Sequence, residues 1–267
     1  MRISVVAAVP RGLAEPREAR AAFDAELLPA EEDELIYERG EDASQLVPRL
    51  WARGLLKAKG DVVALTLSSM VPRPGWRQAI VEAMTEGVGG VGGAIEPAAQ
   101  MRPLDWAIHL CRYSGYLLPF AESDVDTLPG DNAAYRREAI EPLSETWAGG
   151  FWETEVDARL RERGWRLRMT PRAVVTQGAS VGFLSFCRNR WRHGIASGRH
   201  RGRKLSAFGR IARALFFPAA AAVMLRRIGR AAKSRGRAEG FHRALPCLAV
   251  FLAIWAAGEA AGYLYVP

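Results

Sequence analysis

A near-continuous apolar run at residues 61–67, Asp-Val-Val-Ala-Leu-Thr-Leu, restricts the fold of this chain more than any other feature. A strand without alternating polar positions must be covered on both faces, as a central strand of a parallel sheet is. Residues 1–9 and 34–38 are further strand candidates, and helical patterns at 16–28 and 43–59 separate the three. This alternation predicts βαβ units and therefore an α/β fold, with a mostly parallel sheet flanked by helices.

Residues 128–136, Leu-Pro-Gly-Asp-Asn-Ala-Ala-Tyr-Arg, predict a turn followed by a short helix. Gly130 permits a tight backbone path, and Asp131 and Asn132 supply acceptors that suit a helix start. Both side chains could bind hydroxyl groups of a ligand, and both could equally serve only the turn.

Residues 152–177 predict a helix led by carboxylates and then a returning strand. Trp152, Val156 and Leu160 form an apolar stripe at helical spacing, which must pack inward. Glu153 lies in the first turn, where the helix dipole favours an ionised carboxylate. Gly164 is a natural stop, and residues 166–177 follow as extended chain.

This order of parts resembles the second half of family-2 glycosyltransferases, which have the GT-A fold. Members commonly combine a small-residue/Asn/aromatic/Arg turn, an acidic Glu-Asp-x-Asp/Glu helix start and a Pro-x-Ala-Val-Val-x-His strand. Here the acidic start is Trp152-Glu153-Thr154-Glu155, and Gln177 replaces the frequent His. The resemblance implies a GT-A-like domain over residues 1–204. It also implies inverting sugar transfer in which Glu153 takes the proton of the acceptor hydroxyl.

The Asp-x-Asp motif of the family is degenerate in this chain. Residues 71–76 keep the Val-Pro-x-Pro-Gly-Trp frame, but Leu67, Ser68, Ser69 and Met70 stand where the metal-holding aspartates belong. These side chains lack the carboxylate oxygens that a hard cation requires. No metal ligand is therefore assigned, and a role for Mg²⁺ or Mn²⁺ is in question. Either basic residues neutralise the diphosphate instead, or the protein no longer transfers sugar.

The donor and acceptor sites follow from the strand ends and from the resemblance. Open α/β sheets bind ligands at the carboxyl ends of their strands, and a guanidinium suits a diphosphate. The predicted donor-binding residues are Pro10, Glu38, Ser68, Ser69, Met70 and Arg190. The predicted acceptor-binding residues are Asp131, Asn132, Trp152 and His193. The alternative for Arg190 is a basic helix face that binds lipid headgroups.

Two further glycine motifs do not indicate function. Residues 87–92 satisfy GxGxxG but follow a helix and precede a strand, so they predict a turn that enters a strand at residues 91–95. Residues 178–182 satisfy GxSxG, the nucleophile elbow of hydrolases. No Asp follows Ser180, and the only later acids are Glu239 and Glu259, so a hydrolase triad is not indicated.

Charge is distributed unevenly along the chain. Its formal net charge is +8, yet residues 188–243 hold 16 Lys and Arg against the single acid Glu239. Such a basic segment suits anionic lipid, a diphosphate substrate or nucleic acid. Aromatic interleaving and known nucleic-acid motifs are absent from the sequence, so no nucleic-acid partner is expected. Three widely spaced cysteines match no metal site and fit a reducing compartment.

The C-terminal region, residues 205–267, predicts membrane-associated helices. Residues 214–225 are apolar but too short to span a bilayer, whereas residues 245–266 could span it, interrupted by Glu259. Two interfacial or re-entrant helices fit as well. The ending resembles the tail of membrane-associated bacterial family members. The resemblance thus implies transfer from a nucleotide-sugar donor to a lipid-linked or cell-envelope acceptor at the cytoplasmic membrane, with the catalytic domain facing the cytoplasm. The alternative is a degenerate module that recruits a partner there.

Overall fold

The computed structural model describes residues 1–11, 17–42, 45–177, 181–203 and 205–265. The chain forms two compact units. Unit 1 comprises residues 1–98 and 116–179, and unit 2 comprises residues 99–115 and 180–267. The division therefore falls near residue 180, and a helix inserted after residue 98 joins the second unit. The boundary at residue 204 that the resemblance implies stays a prediction, and the helices on both sides of that residue belong to unit 2.

All described strands belong to one sheet in unit 1. They are β1 (Ile3–Val9), β2 (Glu34–Arg39), β3 (Val62–Leu67), β4 (Met70–Pro72), β5 (Val88–Pro97), β6 (Ser123–Asp124), β7 (Asn132–Arg136) and β8 (Arg166–Gln177). The strand order is β2-β1-β3-β7-β5-β8-β4, and β6 pairs with β8. The strands β1, β2, β3, β5 and β8 run in one direction, since β7 is antiparallel to both β3 and β5. The predicted α/β fold with a mostly parallel sheet is confirmed.

Helices follow most strands. They are α1 (Arg17–Glu26), α2 (Val47–Leu55), α3 (Trp76–Ala83), α4 (Pro103–Tyr113), α5 (Arg137–Ile140), α6 (Ser144–Trp147), α7 (Glu153–Glu162), α8 (Phe183–Gly202), α9 (Ala207–Leu215), α10 (Phe217–Ser234) and α11 (Ala238–Leu264). Unit 2 contains α4 and α8 to α11. In unit 1, α1 and α3 meet through an edge-to-face contact between Phe23 and Trp76. On α2, Trp51 donates a buried 2.8 Å hydrogen bond to the Thr66 carbonyl of β3.

Two sequence expectations were wrong about the centre of the sheet. Residues 132–136 form β7 rather than a helix, because Ala133, Ala134 and Tyr135 are buried between β3 and β5. The strand predicted at residues 91–95 begins earlier, because β5 starts at Val88 and includes Gly89 and Gly90 of the predicted turn. The glycines of this strand lie under neighbouring side chains: a Cβ at Gly92 would be 2.7 Å from the Met169 sulfur. Small residues here let the surrounding side chains approach the strand closely.

Unit 2 is a helical assembly in which α8 crosses α11 at backbone contact. Gly198 of α8 lies so close to α11 that a Cβ added to it would be 2.9 Å from the Cα of Gly262. Likewise, a Cβ added to Gly258 of α11 would be 2.6 Å from the Trp191 carbonyl of α8. Glu259 of α11 is buried, and its Oε1 accepts hydrogen bonds from Ser197 (3.1 Å) and Arg201 (2.9 Å) of α8. This acid is therefore compensated inside the helical unit.

Among the described residues, α11 is long and apolar enough to cross a membrane. The helices α9 and α10, which are bent by 60° where they join, meet the same criterion of length and composition as a pair.

Candidate functional site

The carboxyl ends of the parallel strands in unit 1 meet at one edge of the sheet, and most predicted ligand-binding residues lie there. Ala8 of β1 pairs with Glu38 of β2 and with Leu67 of β3, so Pro10 and Ser68 lie at the same edge. The antiparallel strand β7 begins at this edge, since Asn132 pairs with Thr66. Ligands bind at this edge in open α/β sheets.

The segment where the resemblance would place a metal-binding motif continues this edge toward β8. Ser68 and Ser69 connect β3 to β4, and Met70 of β4 pairs with Gln177 at the end of β8. Ser68, Ser69 and Met70 are all buried. The Ser68 hydroxyl oxygen has no hydrogen-bond partner in the part of the chain that the structure describes. An unpaired buried hydroxyl is costly, and a ligand at the sheet edge would compensate for it.

A carboxylate site for a divalent metal is not formed by these residues. Ser68, Ser69 and Met70, between β3 and the start of β4, offer hydroxyl and thioether groups, whereas hard cations prefer carboxylate oxygens. Across the described ranges, no group of three His, Cys, Asp or Glu side chains could hold a metal. The residues present therefore do not fit the metal that the resemblance implies.

Glu153 is the first residue of α7, and its side chain packs against the turn before β7. An added Cβ at Gly130 would lie 2.5 Å from the carboxyl carbon of Glu153 and 2.6 Å from its Cγ. The absence of a side chain at position 130 thus leaves space for the Glu153 carboxylate above the turn. Asp131 follows in this turn, and its carbonyl accepts a 3.0 Å hydrogen bond from the Thr66 hydroxyl of β3. The turn is thereby fixed at the carboxyl end of β3.

Asp157, one helical turn after Glu153, is fully buried. Its Oδ2 accepts a hydrogen bond from the Leu128 amide (2.8 Å), and its Oδ1 accepts one from the Tyr135 hydroxyl (3.0 Å). Burial raises the pKa of Asp157 to about 7, although both hydrogen bonds and the nearby Arg161 act in the opposite direction. The buried side chain of Asp157 is therefore not solvated. It belongs to the inner face of α7, together with Val156 and Leu160.

Tyr116 lies near the carboxylates of this site and was not identified from the sequence. Burial, and after it the charges of Glu153, Asp157 and Asp131, raise the pKa of Tyr116 to about 12. The phenol therefore stays protonated at neutral pH. Nothing in the local sequence marks it, because only folding brings residue 116 to the turn at residues 128–131.

Two predicted ligand-binding residues make extensive contacts within unit 1. The Asn132 amide donates to the carbonyls of Ala94 (2.9 Å) and Ala173 (3.0 Å), and its oxygen accepts from the Trp76 indole (2.8 Å). Its side chain thus holds β5, β7 and β8 together, and its predicted acceptor-binding role has no support from this geometry.

Glu38 is likewise held inside unit 1. Its carboxylate is buried and paired with Arg53 at 2.8 Å and with Lys57 at 2.5 Å, both from the region of α2. Its predicted donor-binding role stays a prediction. Trp152 is the half-buried residue that precedes α7, and its role toward an acceptor also stays a prediction.

The remaining predicted residues, Arg190 and His193, belong to α8 of unit 2. The Arg190 guanidinium lies 5.0 Å from the centre of the Phe186 ring, and its Nε has no hydrogen-bond partner among the described residues. Burial, with Arg112 as a further contributor, lowers the pKa of Arg190. Burial and the charges of Arg190 and Arg112 also lower the pKa of His193 to about 3. The imidazole is therefore neutral at physiological pH, beside two arginines.

The GxSxG motif at residues 178–182 lies largely outside the described residues, which exclude 178–180.

Comparison with solved structures finds proteins similar to this chain. One is a mannosyltransferase from Pyrobaculum calidifontis, solved in complex with GDP-mannose and Mn²⁺. It is 15% identical to this chain, with a TM-score of 0.53, and the match covers 98% of this chain and 87% of that one. This likeness shows the fold. Two others have TM-scores of 0.43: residues 1–349 of Staphylococcus aureus TarS, 9% identical over 72% of this chain and 65% of that one, and A197 from STIV, 12% identical over 64% and 83%. No protein-family profile and no curated protein sequence matches the chain.

Proposed function

We propose that unit 1 is a glycosyltransferase domain that moves a sugar from a nucleotide-sugar donor to a hydroxyl acceptor. The observation that carries this proposal is the position of Glu153, whose carboxylate rests on Gly130 at the carboxyl edge of the sheet. Support also comes from the fold, which resembles that of a mannosyltransferase solved with GDP-mannose. We infer that the acceptor is lipid-linked or belongs to the cell envelope, and that transfer takes place at the cytoplasmic face of the membrane.

In the proposed reaction the acceptor oxygen attacks the anomeric carbon of the donor sugar. The hydroxyl proton passes to Glu153, and the bond between the anomeric carbon and the phosphate oxygen breaks. The nucleoside diphosphate leaves with that electron pair, and attack from the opposite face inverts the anomeric configuration. Positive side chains must stabilise the charge that develops on the diphosphate. Arg190 is our candidate for this role, because a guanidinium can bind a diphosphate with two donors.

The direct test is the Glu153→Gln variant of the full chain. Glutamine keeps the shape of the side chain but cannot accept the proton, so transfer should fall by about 10²-fold or more while the protein stays folded. Glu155→Gln is the matched control, because it removes a carboxylate from the same helical turn. Turnover and the melting temperature would be measured for all three proteins. Unchanged turnover in Glu153→Gln removes the assignment.

Replacement of the Asp-x-Asp aspartates also favours a second candidate, a GT-A-like module that binds a partner without transferring sugar. A screen of nucleotide-sugar binding and hydrolysis, with and without chelator, separates the two. Binding and turnover that persist in excess chelator support transfer without metal. Absence of any nucleotide binding supports the module.

A further inference from the structure

The helix α9 in unit 2 is amphipathic, and its apolar face is exposed. Phe208, Ile211 and Leu215 follow one another at helical spacing and are 81%, 51% and 74% exposed. Arg210 and Arg213 lie on the other side of the same helix, by the 3.6-residue period. In a helix that packs on its own protein, the apolar face is the buried one.

This apolar face continues around the bend into α10. Phe216 is 70% exposed, and Phe217 and Val223 are exposed as well. Of the fifteen large apolar side chains that are exposed in the described part of the chain, twelve belong to unit 2. Single exposed apolar residues need no explanation, but a contiguous group of this kind marks an interaction surface. We call the group formed by Phe208, Ile211, Leu215, Phe216 and Phe217 the apolar corner.

The charge around the apolar corner is of one sign. Residues 205–237 contain eight Lys and Arg and no Asp or Glu. Arg226, Arg227 and Arg230 are exposed on α10 directly after its apolar part. A second copy of this chain would place such a surface against equal charge. An anionic lipid surface offers both hydrocarbon for the aromatic rings and negative headgroups for the guanidinium groups.

We propose that the apolar corner docks unit 2 on an anionic bilayer, with α9 lying in the interface and the flanking arginines at the headgroups. The apolar part of α10 ends at Leu225, so residues 216–225 extend only about 15 Å at about 1.5 Å per residue. This length is about half of the hydrocarbon thickness of a bilayer, which favours shallow insertion over a span. Docking in this manner does not depend on whether α11 crosses the membrane. The inference also stands without the proposed sugar transfer, because no residue of the candidate base site takes part in it.

The test measures partition of the full chain onto vesicles, without any activity readout. Vesicles of pure phosphatidylcholine are compared with vesicles that contain a third of phosphatidylglycerol, by flotation. The double variant Leu215→Asp/Phe216→Asp should bind the anionic vesicles at least about tenfold more weakly, because it loses apolar insertion and gains repulsion. Leu56→Asp is the matched control: Leu56 is 71% exposed, close to Leu215, but belongs to unit 1. This control should bind as the unmodified chain does.

A charge variant separates electrostatic attraction to anionic lipid from nonspecific adsorption to vesicles. Arg226→Gln, Arg227→Gln and Arg230→Gln together should weaken binding to anionic vesicles by roughly fivefold per arginine at low salt, with little effect on neutral vesicles. Unchanged partition of the corner variant, relative to Leu56→Asp, would overturn the proposal. So would conversion of a lipid-free oligomer to monomer by the corner variant, since a second copy would then cover the surface. Vesicle binding by a chain without transferase activity would contradict the proposed function and leave the docking proposal intact.

Discussion

The buried carboxyl group of Asp157 gives the sharpest prediction for the stability of unit 1. It accepts hydrogen bonds from the Leu128 amide and the Tyr135 hydroxyl, and burial raises its pKa from an ordinary 3.8 to about 7. In Asp157→Asn the amide oxygen can still accept from Leu128, and the amide nitrogen can donate to the Tyr135 oxygen. The variant therefore keeps the geometry and removes the titration.

The sign follows from the direction of the pKa shift. Because the pKa is higher in the folded state, protonation favours folding, and this contribution is fully present below about pH 4. It is lost as the pH rises through about 7, when the folded protein must also ionise a buried group. A shift of about three units corresponds to at most about 4 kcal/mol between the two limits. The Asp157→Asn variant has no such loss, so its stability relative to the unmodified protein should increase between pH 4 and 8.

Urea unfolding at intervals from pH 4 to 8.5 measures this difference directly. The control is Glu162→Gln, which removes an exposed carboxylate near the end of the same helix. For this control, the free energy of unfolding should change with pH in nearly the same way as for the unmodified protein. The reasoning would be refuted if the free energy of unfolding of Asp157→Asn also changed with pH as that of the unmodified protein does. Such a result would show that residue 157 does not titrate between these limits in the folded protein.

Three further substitutions test individual contacts. Gly130→Ala places a Cβ 2.5 Å from the carboxyl carbon of the candidate base, so turnover should fall about 10²-fold with a nearly unchanged melting temperature, whereas Gly149→Ala, with open space around it, should do neither. Ser68→Ala removes a buried hydroxyl without a described partner, so the free protein should gain about 1 kcal/mol in urea unfolding while the KM for the donor rises; an unchanged KM would argue against donor binding. Gly198→Ala places a Cβ against the Glu259 carbonyl of α11 and 2.9 Å from the Gly262 Cα, so the melting temperature should drop by several degrees, unlike Gly115→Ala, which meets no atom within 4 Å.

The elements with strong local signals were predicted well from the sequence. The strand β8 has the predicted bounds, Arg166–Gln177, and α7 begins at Glu153 as its acidic first turn indicated. Gly164 adopts the left-handed conformation, with φ +85°, that its position after the helix requires. In each case the information lies in neighbouring residues: an apolar period, a charged first turn or a glycine.

The features that were missed depend on residues distant in sequence. Residues 132–136 include two alanines, which favour a helix, yet β3 and β5 bury them on both sides as a strand. In the sequence, the glycines of β5 suggest a flexible turn. The fold shows instead that the side chains of Trp165, Leu128 and Met169 pack against these positions and leave no room for a larger residue. Tyr116 enters the site through folding alone. Asp157 could have been found, because it lies at i+4 from Glu153 and between Val156 and Leu160.

The surroundings of the two carboxyl groups on the inner face of α7 suit different roles, of which the base role of Glu153 is the one proposed above. Asp157 is fully buried and receives hydrogen bonds from the turn and from β7, which suits a group that holds the helix against the turn. Glu153 is half-buried in the first turn, where the helix dipole favours the ionised form that a base requires. Burial raises the pKa of Asp157 to about 7, so near neutral pH this carboxyl group is only partly ionised. The roles would be exchanged only if Asp157→Asn stopped transfer while Glu153→Gln retained it.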